Sequence, residues 1–267
     1  MFENETMFSR TEMLVGQDAL KKLKSAHVLL FGLGGVGGIT AEMLCRSGVG
    51  NLTLVDNDVV SNSNLNRQIF ALHSTLGKKK VLAAKERLRD INPQCNVSAR
   101  DIFFLPENKN EFNFSDYDYV IDAIDTVSAK VAIIEKAKSA NVPVISSMGT
   151  GNKLHGERFR IADIFETSVC PLARVMRNEL RKRNIQNVKV LFSDEKPLRQ
   201  THVQADQANT SLLLCTVTEQ SSNKALNETA TKRTQKKQVP ASISFVPNLA
   251  GLLIAGEVVR DLLSMEL

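Results

Sequence analysis

The chain has 267 residues, of which 43% are hydrophobic and 24% charged, the composition of an ordinary globular protein with one large domain or two small ones. It contains no tryptophan and only 5% aromatic residues, which argues against an aromatic platform for stacking single-stranded nucleic acid. The formal net charge of +5 is mild, so it allows a nucleic-acid partner without requiring one.

The amino-terminal segment lacks the pattern of a targeting peptide. Residues 1–10 are polar and include Glu3 and Glu5, unlike a signal or transit peptide. Residues 10–23 predict a short helical lead-in. We therefore expect a cytoplasmic protein in a reducing compartment, where disulfides do not form.

The stretch from His27 to Gly38, HVLLFGLGGVGG, is the most informative motif in the chain. Residues 28–31 predict a buried strand, and the helical pattern after the glycines ends at Gly48. A G-x-G-x-x-G turn between a strand and a helix is typical of a nucleotide site, because backbone amides and the helix N-terminus attract phosphate. The alternative is a glycine turn that serves only packing.

Each glycine of this turn has its own expected role. Gly32 permits the tight turn, Gly34 lets a phosphate approach the backbone, and Gly37 lets the helix pack closely on the strand. Asp56 ends the second predicted strand, residues 51–55, at the distance where an acid binds a ribose in such folds.

A polar segment, residues 56–68, follows this second strand with the sequence DNDVVSNSNLNRQ. Its carboxylates, amides and single arginine lie past the carboxyl end of a strand, where ligands bind in open α/β sheets. Lys78, Lys79 and Lys80 then open the next helix, residues 81–90. Lys78 and Lys79 are either a solvated face or part of the site, whereas Lys80 enters the helix beside the nucleotide loop.

Strands and helices alternate as far as residue 152. The further predicted elements are a strand at 96–102, a strand at 117–122, a helix at 127–140 and a strand at 142–146. Asp125 again follows the carboxyl end of a strand. This alternation predicts an α/β fold with a mostly parallel sheet, right-handed crossovers and helices on both faces.

The second half of the chain is less regular. It predicts strands at 159–164 and 188–192, a basic helix at 171–183, loops at 194–207 and 221–237, a short strand at 242–246 and a last helix that ends near Leu263. The last stretch, residues 249–263, is shorter than the roughly 20 apolar residues that a membrane span needs. We therefore expect a buried or interface helix and no integral membrane span.

Arg67, Lys80 and Asp125 suggest triphosphate chemistry rather than hydride transfer, which would not need them. Basic side chains stabilise the charge that develops when a phosphorus is attacked, and a carboxylate such as Asp125 can bind Mg²⁺ together with phosphates and water. The chain has no Walker lysine motif, so a P-loop is not the solution here.

The chain resembles the E1-like activating superfamily, which includes the adenylating enzymes of thiamin and molybdopterin biosynthesis and of ubiquitin activation. The matching stretches are GLGGVGG at 32–38, DNDVVSNSNLNRQ at 56–68, GKKK at 77–80 and DAIDT at 122–126. The resemblance implies one E1-like adenylating domain with a Rossmann-like fold, composed of a nucleotide-binding half, 8–152, and a half for substrate, tRNA and dimer contacts, 153–267. Its members adenylate a carboxylate with ATP and Mg²⁺.

The resemblance also implies roles for single residues. The ATP site would consist of Gly32, Gly34, Gly35, Gly37, Asp56, Asp58, Asn64, Arg67, Gln68, Lys80 and Asp125. Asp125 would bind Mg²⁺, Asp56 the ribose, and Arg67 and Lys80 the phosphates. Arg10, in FSRTEMLVG, would reach the phosphates of a partner subunit, which implies a homodimer with shared sites.

Within the superfamily, the chain is most similar to the enzymes that dehydrate threonylcarbamoyladenosine in tRNA. The stretches that carry this similarity are FSRTEMLVG at 8–16, DAIDTVSAK at 122–130, SSMGTGNK at 146–153, TSVCPLARVMR at 167–177 and SFVPNLAGLLIAGEVV at 244–259. The similarity implies ATP-dependent dehydration, by cyclisation, of the N6-threonylcarbamoyl group on adenosine 37. It leaves open a monovalent cation in the site and a cysteine-desulfurase or sulfur-acceptor system as a partner.

The predicted helix 171–183 is the candidate tRNA surface, since tRNA binding depends on positive charge. Its candidate residues are Arg174, Arg177, Arg181, Lys182 and Arg183. Between Arg174 and Arg199 eight basic residues face three acids, an excess of +5 that equals that of the whole chain. The alternative is a basic helix that is merely solvated.

The four cysteines, Cys45, Cys95, Cys170 and Cys215, form no Cys-x-x-Cys pair, so no structural zinc is expected. Cys170 lies in a matching motif, one helical turn before Arg174, and is either a reactive thiol or a small buried residue. Cys215, in an apolar run, is expected in the core.

Two other functions compete with tRNA dehydration. One is adenylation of the C-terminus of a ubiquitin-like sulfur-carrier protein, against which the missing zinc cysteines and the basic helix argue. The other is a nucleotide-binding module without catalysis, such as a redox sensor, in which Arg67, Lys80 and Asp125 would have no task.

Overall fold

Seven strands form one sheet in the order β3-β2-β1-β4-β5-β7-β6 in the computed structural model, which describes residues 5–198 and 240–264. The strands are β1 His27–Phe31, β2 Asn51–Val55, β3 Asn96–Arg100, β4 Tyr119–Asp122, β5 Val144–Ser147, β6 Phe159–Asp163 and β7 Lys189–Ser193. All neighbours pair in parallel except β6, which runs antiparallel to β7 at one edge. The predicted α/β fold with a mostly parallel sheet is confirmed.

Seven α-helices accompany these strands in the described part of the chain. They are α1 Ser9–Val15, α2 Gln17–Ser25, α3 Gly35–Ser47, α4 Lys80–Ile91, α5 Val127–Ser139, α6 Pro171–Lys182 and α7 Phe245–Leu263. Side chains of a strand alternate between the two faces of its sheet. In β1, Val28 and Leu30 accordingly join one buried cluster, whereas Leu29 and Phe31 join another. Apolar side chains therefore cover both faces, as a parallel sheet requires.

Helix α7 packs against α3 so closely that the contact requires a glycine. A Cβ on Gly251 would lie 2.1 Å from Ile39 Cγ2 and 2.4 Å from the carbonyl oxygen of Val36. The Thr40 hydroxyl also donates to the Gly251 carbonyl at 3.1 Å. Because α3 begins at the glycine turn, this contact fixes the last helix against the element that carries the predicted nucleotide site.

The structure differs from the sequence-based prediction at both ends. The predicted lead-in over residues 10–23 consists of two helices, because Gly16 has φ +85° and breaks the pattern. The predicted strand at 242–246 is wrong, since α7 begins at Phe245 and includes Pro247 in its first turn. The first turn of a helix accepts proline, because its N–H groups have no helical partner.

Some predictions fall outside the described residues. These are the loop at 221–237, the core position of Cys215, Arg199 of the basic stretch and most of the loop at 194–207. Among the described helices, none is long and apolar enough to cross a membrane.

The order of the strands determines where a ligand can bind. Strand β1 lies between β2 and β4, so the connections from β1 and from β3 leave toward opposite sides of the sheet. In open α/β sheets the crevice at such a switch point, at the carboxyl ends of the strands, holds the ligand. The glycine turn leaves β1 at this position.

Candidate nucleotide site

Three glycines shape the turn after β1. Gly32 has φ +89°, a conformation that favours glycine, and its N–H donates to the Val55 carbonyl at 2.8 Å. A Cβ on Gly37 would lie 1.8 Å from the Gly32 carbonyl oxygen, so no other residue fits there. A Cβ on Gly34 would meet nothing within 4 Å. The turn is thus tight on the protein side and open at Gly34, where a phosphate would approach.

The carboxylate of Asp56, at the carboxyl end of β2, ties this turn to the neighbouring strand. Its Oδ2 accepts a hydrogen bond of 2.7 Å from the backbone N–H of Leu33, and its Oδ1 accepts one of 2.8 Å from Asp58 N–H. Each oxygen has a second lone pair. The same carboxylate can therefore hold the turn and accept a hydrogen bond from a ribose hydroxyl.

Lys80 is held beside this carboxylate at the start of α4. Its side chain is buried, and its ammonium donates to Asp58 Oδ2 at 2.7 Å. Lys78 pairs instead with Glu86 at 3.0 Å, and Lys79 donates to the Asn57 carbonyl at 2.9 Å. Lys80 is the buried one of the three lysines, and its predicted contact with the nucleotide stays a prediction.

Arg67 lies on the polar segment that crosses in front of the glycine turn. Its guanidinium donates to the Ser63 carbonyl and to Asn66 Oδ1, both at 2.8 Å. A Cβ on Gly35 would lie 3.5 Å from Arg67 Cγ. Arg67 is therefore next to the turn, and it carries no carboxylate partner among the described residues.

Residues at and just before the start of α7 hydrogen-bond to the polar segment 56–68, which carries Arg67. Asn248 Nδ2 donates to the Arg67 carbonyl at 3.1 Å, and Asn66 Nδ2 donates to the Ser242 carbonyl at 3.1 Å. Pro247 closes the same corner, since a Cβ on Gly35 would lie 2.9 Å from its Cβ. Asn248 joins a residue 181 positions away, so sequence reasoning had no signal for it.

Asn64 and Gln68, two further predicted ATP residues, are buried within this segment. Asn64 Oδ1 accepts from the Ser61 N–H at 3.1 Å, and the Gln68 N–H donates to the Asn64 carbonyl at 2.9 Å. Asn64 therefore shapes the segment, and its amide N–H₂ remains for a ligand.

Asp125 follows β4 on the turn next to the glycines. The two turns touch, because a Cβ on Gly32 would lie 2.7 Å from the Ala123 carbonyl oxygen. The Asp125 side chain is exposed and has no hydrogen-bond or ion-pair partner among the described residues. No group of three or more His, Cys, Asp or Glu side chains that could hold a metal occurs in residues 5–198 and 240–264. One free carboxylate suits Mg²⁺, which takes phosphate oxygens and water as its other ligands.

A buried ion pair lies beneath this turn. Lys130 Nζ and Asp122 Oδ2 are 2.9 Å apart, and both side chains are fully buried. The Ser146 hydroxyl donates to the same carboxylate oxygen at 2.5 Å. Sequence reasoning did not single out Lys130, although a lysine three and four residues before Ile133 and Ile134, on the apolar face of a helix, was a detectable signal.

Arg10 is not brought to the site by its own chain. It lies on α1, is exposed, and has no partner among the described residues. Helix α1 buries none of its residues, and Met13 and Leu14 are 73% and 84% exposed. Its predicted contact with a partner subunit stays a prediction.

The five tRNA candidates on α6 differ in how they are engaged. Arg177 donates to the Thr167 carbonyl at 2.9 Å, and Lys182 and Arg183 pair with Glu179 at 2.7 and 2.8 Å. Arg181 lies over the Phe165 ring, with the guanidinium carbon 5.2 Å from its centroid. Arg174 and Arg181 therefore remain as exposed cations without a carboxylate partner in the described chain.

Cys170 is buried at the N-cap of α6, as the alternative to a reactive thiol expected. Its N–H donates to the Ser168 carbonyl at 2.5 Å, and Val169 between them has φ +60°, which is rare for a β-branched residue. The nearby Lys153 is also buried and donates to the Glu195 carbonyl at 2.6 Å. Burial lowers the pKa of Lys153 below its usual 10.5, although Cys170 and Glu195 oppose this.

A surface cavity of about 330 Å³ lies at the other end of α6. Its lining residues are Phe165, Arg181, Asn184, Ile185, Gln186 and Asn187. It lies at the start of β7, and therefore at the edge of the sheet opposite to the glycine turn.

Comparisons with known proteins show the family to which the chain belongs. The model of the ThiF family matches residues 8–266. The tRNA threonylcarbamoyladenosine dehydratase of Bacillus subtilis (strain 168) is 42% identical over 257 residues, which cover 96% of this chain and 94% of that protein.

Crystal structures of the Escherichia coli tRNA N6-threonylcarbamoyladenosine dehydratase are similar in fold. The complex with AMP superposes with a TM-score of 0.79 at 28% identity, and the complex with ATP with 0.78 at 27%. In both comparisons the match covers 97% of this chain and 94% of the other. The chain thus belongs to the ThiF family, and over nearly its full length it is similar to the tRNA threonylcarbamoyladenosine dehydratase of Bacillus subtilis.

Proposed function

We propose that this protein catalyses the ATP-dependent dehydration of N6-threonylcarbamoyladenosine at position 37 of tRNA, through adenylation of the threonyl carboxylate. The observation that carries the proposal is the open space at Gly34 in a turn that the Asp56 carboxylate holds through the Leu33 N–H. Lys80 pairs with Asp58 next to this acid, and Asp125 follows the turn that contacts Gly32. Support comes from the similarity, over nearly the whole chain, to enzymes named for this reaction.

Each side chain of the site has a task in this reaction. Asp56 accepts hydrogen bonds from the ribose hydroxyls while it keeps the turn in place. Arg67 and Lys80 lie at the phosphates and stabilise the negative charge that grows as the α-phosphorus is attacked. Asp125 would hold Mg²⁺, which neutralises phosphate charge when bound.

The chemistry explains why an adenylate is formed. The oxygen of a carboxylate is a poor leaving group, whereas AMP leaves readily. The carboxylate oxygen bonds to the α-phosphorus as pyrophosphate departs, and a nitrogen of the same threonylcarbamoyl group then bonds to the carbonyl carbon as AMP departs. The ring closes within one molecule, so proximity lowers the barrier to the second step. The sum is loss of one water from the modified adenosine.

A homodimer with shared sites forms part of the proposal. Helix α1 buries none of its residues, and its exposed Met13 and Leu14 are apolar. On α7, Phe245 and Leu252 are 50% and 43% exposed. These exposed apolar side chains support the proposal if they form one contiguous patch, because such patches mark contact surfaces. Arg10 on α1 would then reach the phosphates in the partner's site.

The tRNA would bind along α6, and the proposed half for substrate, tRNA and dimer contacts, residues 153–267, contains this helix. Arg174 lies near the carboxyl edge of the sheet, because α6 begins at Pro171 beside the end of β5. Arg181 lies at the other end of the helix, about 10 Å away at 1.5 Å per residue. The two exposed cations thus span a distance that a nucleic-acid backbone can follow.

Nucleoside mass spectrometry tests the proposed reaction. The protein is incubated with ATP, Mg²⁺ and tRNA that carries threonylcarbamoyladenosine, and the nucleosides are then analysed. We expect the modified nucleoside to lose the mass of one water for each AMP that is released. Unchanged nucleoside with intact ATP would contradict the proposal. AMP release that requires a sulfur-carrier protein in place of tRNA would favour the alternative, for which no observation speaks at present.

The cytoplasmic location, a monovalent cation in the site and a sulfur-transfer partner stay predictions. The same holds for the nucleotide-binding half at residues 8–152. The incubation described above can include and omit potassium, which tests the cation directly.

A further inference from the structure

Lys130 connects the turn after β4 with the end of β5, and its three N–H donors are all used. Its ammonium donates to the Ile124 carbonyl at 3.0 Å and to the Ser147 carbonyl at 2.8 Å, and it pairs with Asp122 Oδ2 at 2.9 Å. An ammonium has three N–H donors, so this set is complete. The group joins the ends of β4 and β5 to the start of α5.

The Asp122 carboxylate completes the network. Its Oδ2 also accepts from the Ser146 hydroxyl at 2.5 Å, and its Oδ1 accepts from the Ile124 N–H at 3.3 Å. The peptide unit that precedes Asp125 is therefore held at its carbonyl by Lys130, while the N–H of Ile124 is held by Asp122. The Ala123 N–H donates in turn to the Phe31 carbonyl at 2.8 Å, which ties this turn to β1.

Electrostatic attraction between Lys130 and Asp122 does not by itself explain why the protein buries this ion pair. Removing two charges from water costs more than their attraction commonly returns, and apolar residues of similar volume often stabilise a fold equally well. Asp122 and Lys130 lie three and five residues from Asp125, and Lys130 donates to two backbone carbonyls as well as to its acid. Groups that hold a metal-binding carboxylate in place have large effects on metal affinity.

We propose that Lys130 is a positioning residue that fixes the turn bearing Asp125, so that this carboxylate meets Mg²⁺ in the ATP complex. The inference rests on the proposed function, because it assigns Mg²⁺ to Asp125. It adds a role to a residue that does not reach the nucleotide, since Lys130 is fully buried.

The test uses Lys130→Met/Asp122→Asn, in which both charges are removed together and no buried ion is left alone. Calorimetry gives the ATP affinity with Mg²⁺ and with a chelator, and the ratio of the two reports how well the site holds the metal. We expect this ratio to fall about tenfold, while the affinity for metal-free ATP changes less than about twofold. Asp125→Asn sets the value expected for complete loss of the protein ligand.

A second variant, Lys130→Gln/Asp122→Asn, keeps an amide donor at residue 130. We expect this variant to regain part of the ratio of ATP affinities that the Met variant loses, because its amide can still donate to a backbone carbonyl. If Lys130 served only to balance charge, the two double variants would give the same ratio. Lys189→Met, which removes another ion-paired lysine at the opposite edge of the sheet, is the control and should leave the ratio unchanged. Amide hydrogen exchange at residues 123–126 should accelerate in the Met variant and not in the control.

An unchanged ratio in Lys130→Met/Asp122→Asn would overturn the proposal, and so would failure of both double variants to fold, since Lys130 would then be a requirement of the fold. The outcome is separate from that of the proposed function. A wild-type protein that binds Mg²⁺ and ATP without modifying tRNA refutes the dehydration reaction but leaves this comparison intact.

Discussion

The carboxylate of Asp56 accepts a hydrogen bond of 2.7 Å from the backbone N–H of Leu33, which lies 23 residues earlier in the chain. The acid at the end of β2 therefore organises the glycine turn before any nucleotide arrives. Preorganisation of this kind lowers the entropy lost on binding. It also means that one side chain contributes to the fold and to the ligand.

Replacement of Asp56 by alanine should therefore lower both the stability of the fold and the affinity for ATP. The loss of two charge-assisted hydrogen bonds to backbone should lower the free energy of unfolding by about 2 kcal/mol. ATP affinity, measured by calorimetry, should fall at least about tenfold, because the ribose contact and the ordered turn are lost together. Asp90→Ala, at an exposed aspartate of α4, is the control. An ATP affinity within twofold of wild type would exclude Asp56 from the site.

Two glycine substitutions separate folding from binding. Gly34→Ala should melt like wild type, because its Cβ meets nothing within 4 Å, but it should weaken ATP binding by occupying the open space. Gly37→Ala should lose roughly 3 kcal/mol or more of stability, since its Cβ would lie 1.8 Å from the Gly32 carbonyl oxygen. Thermal melts and calorimetry on both variants check this. Normal ATP affinity in Gly34→Ala would mean that the nucleotide does not approach there.

The sequence predicted most of this site because its information is local. Glycines of a turn, an acid at a strand end and a lysine at a helix start each follow their own strand, so the pattern of strands brings them to one edge. Strand β6, with its alternating pattern, was also predicted, but a local pattern does not state that it runs antiparallel to β7.

The parts that sequence reasoning missed depend on contacts between distant residues. Asn248 holds the carbonyl of Arg67, and Glu195 accepts from the N–H groups of Leu154 and His155, both at 3.0 Å. Neither residue belongs to a motif of its own. The strand predicted at 242–246 failed for a related reason: its last two residues, Phe245 and Val246, begin α7, whose Pro247 packs against Gly35, and residues 242–244 precede this helix without forming a strand.

Arg67→Ala should separate binding from catalysis. Its guanidinium has no carboxylate partner in the described chain, so its removal should not unfold the protein. We expect the KM for ATP to change less than about threefold and kcat for AMP formation to fall by about a hundredfold, because the charge that it stabilises develops in the transition state. Single-turnover measurements isolate the chemical step. An unchanged kcat would mean that Arg67 does not contact the phosphates during the reaction.

Glu42 should make the stability of the protein depend on pH in the acidic range. Burial raises the pKa of this carboxyl, but Arg87 at 2.6 Å and Arg46 at 2.8 Å outweigh burial, so the pKa lies below 4.5. A carboxyl with a lowered pKa stabilises the fold above its unfolded pKa, and this contribution is lost as the pH falls through the folded value.

Glu42→Gln should therefore lower the free energy of unfolding by about 1–2 kcal/mol at pH 7, and the difference between variant and wild type should shrink below pH 4.5. Urea unfolding of both proteins between pH 3 and 7, roughly the range over which carboxyls titrate, measures it. A difference that stays constant over this range would contradict the assignment.

Arg174 and Arg181 should account for part of the salt dependence of tRNA binding. Each phosphate contact lowers the slope of log affinity against log salt concentration by about 0.9 on a duplex and about 0.7 on a single strand. Arg174→Ala/Arg181→Ala should therefore flatten the slope by about 1.4 to 1.8 and weaken binding at low salt. Arg89→Ala removes an exposed arginine of α4, beside the other end of the sheet, and is the matched control.

Arg177→Ala should act differently from the double variant, because this guanidinium bonds to the Thr167 carbonyl and its loss should mainly reduce stability. Filter binding over a series of salt concentrations distinguishes these cases. A double variant with the slope of wild type would place the tRNA on another face of the protein.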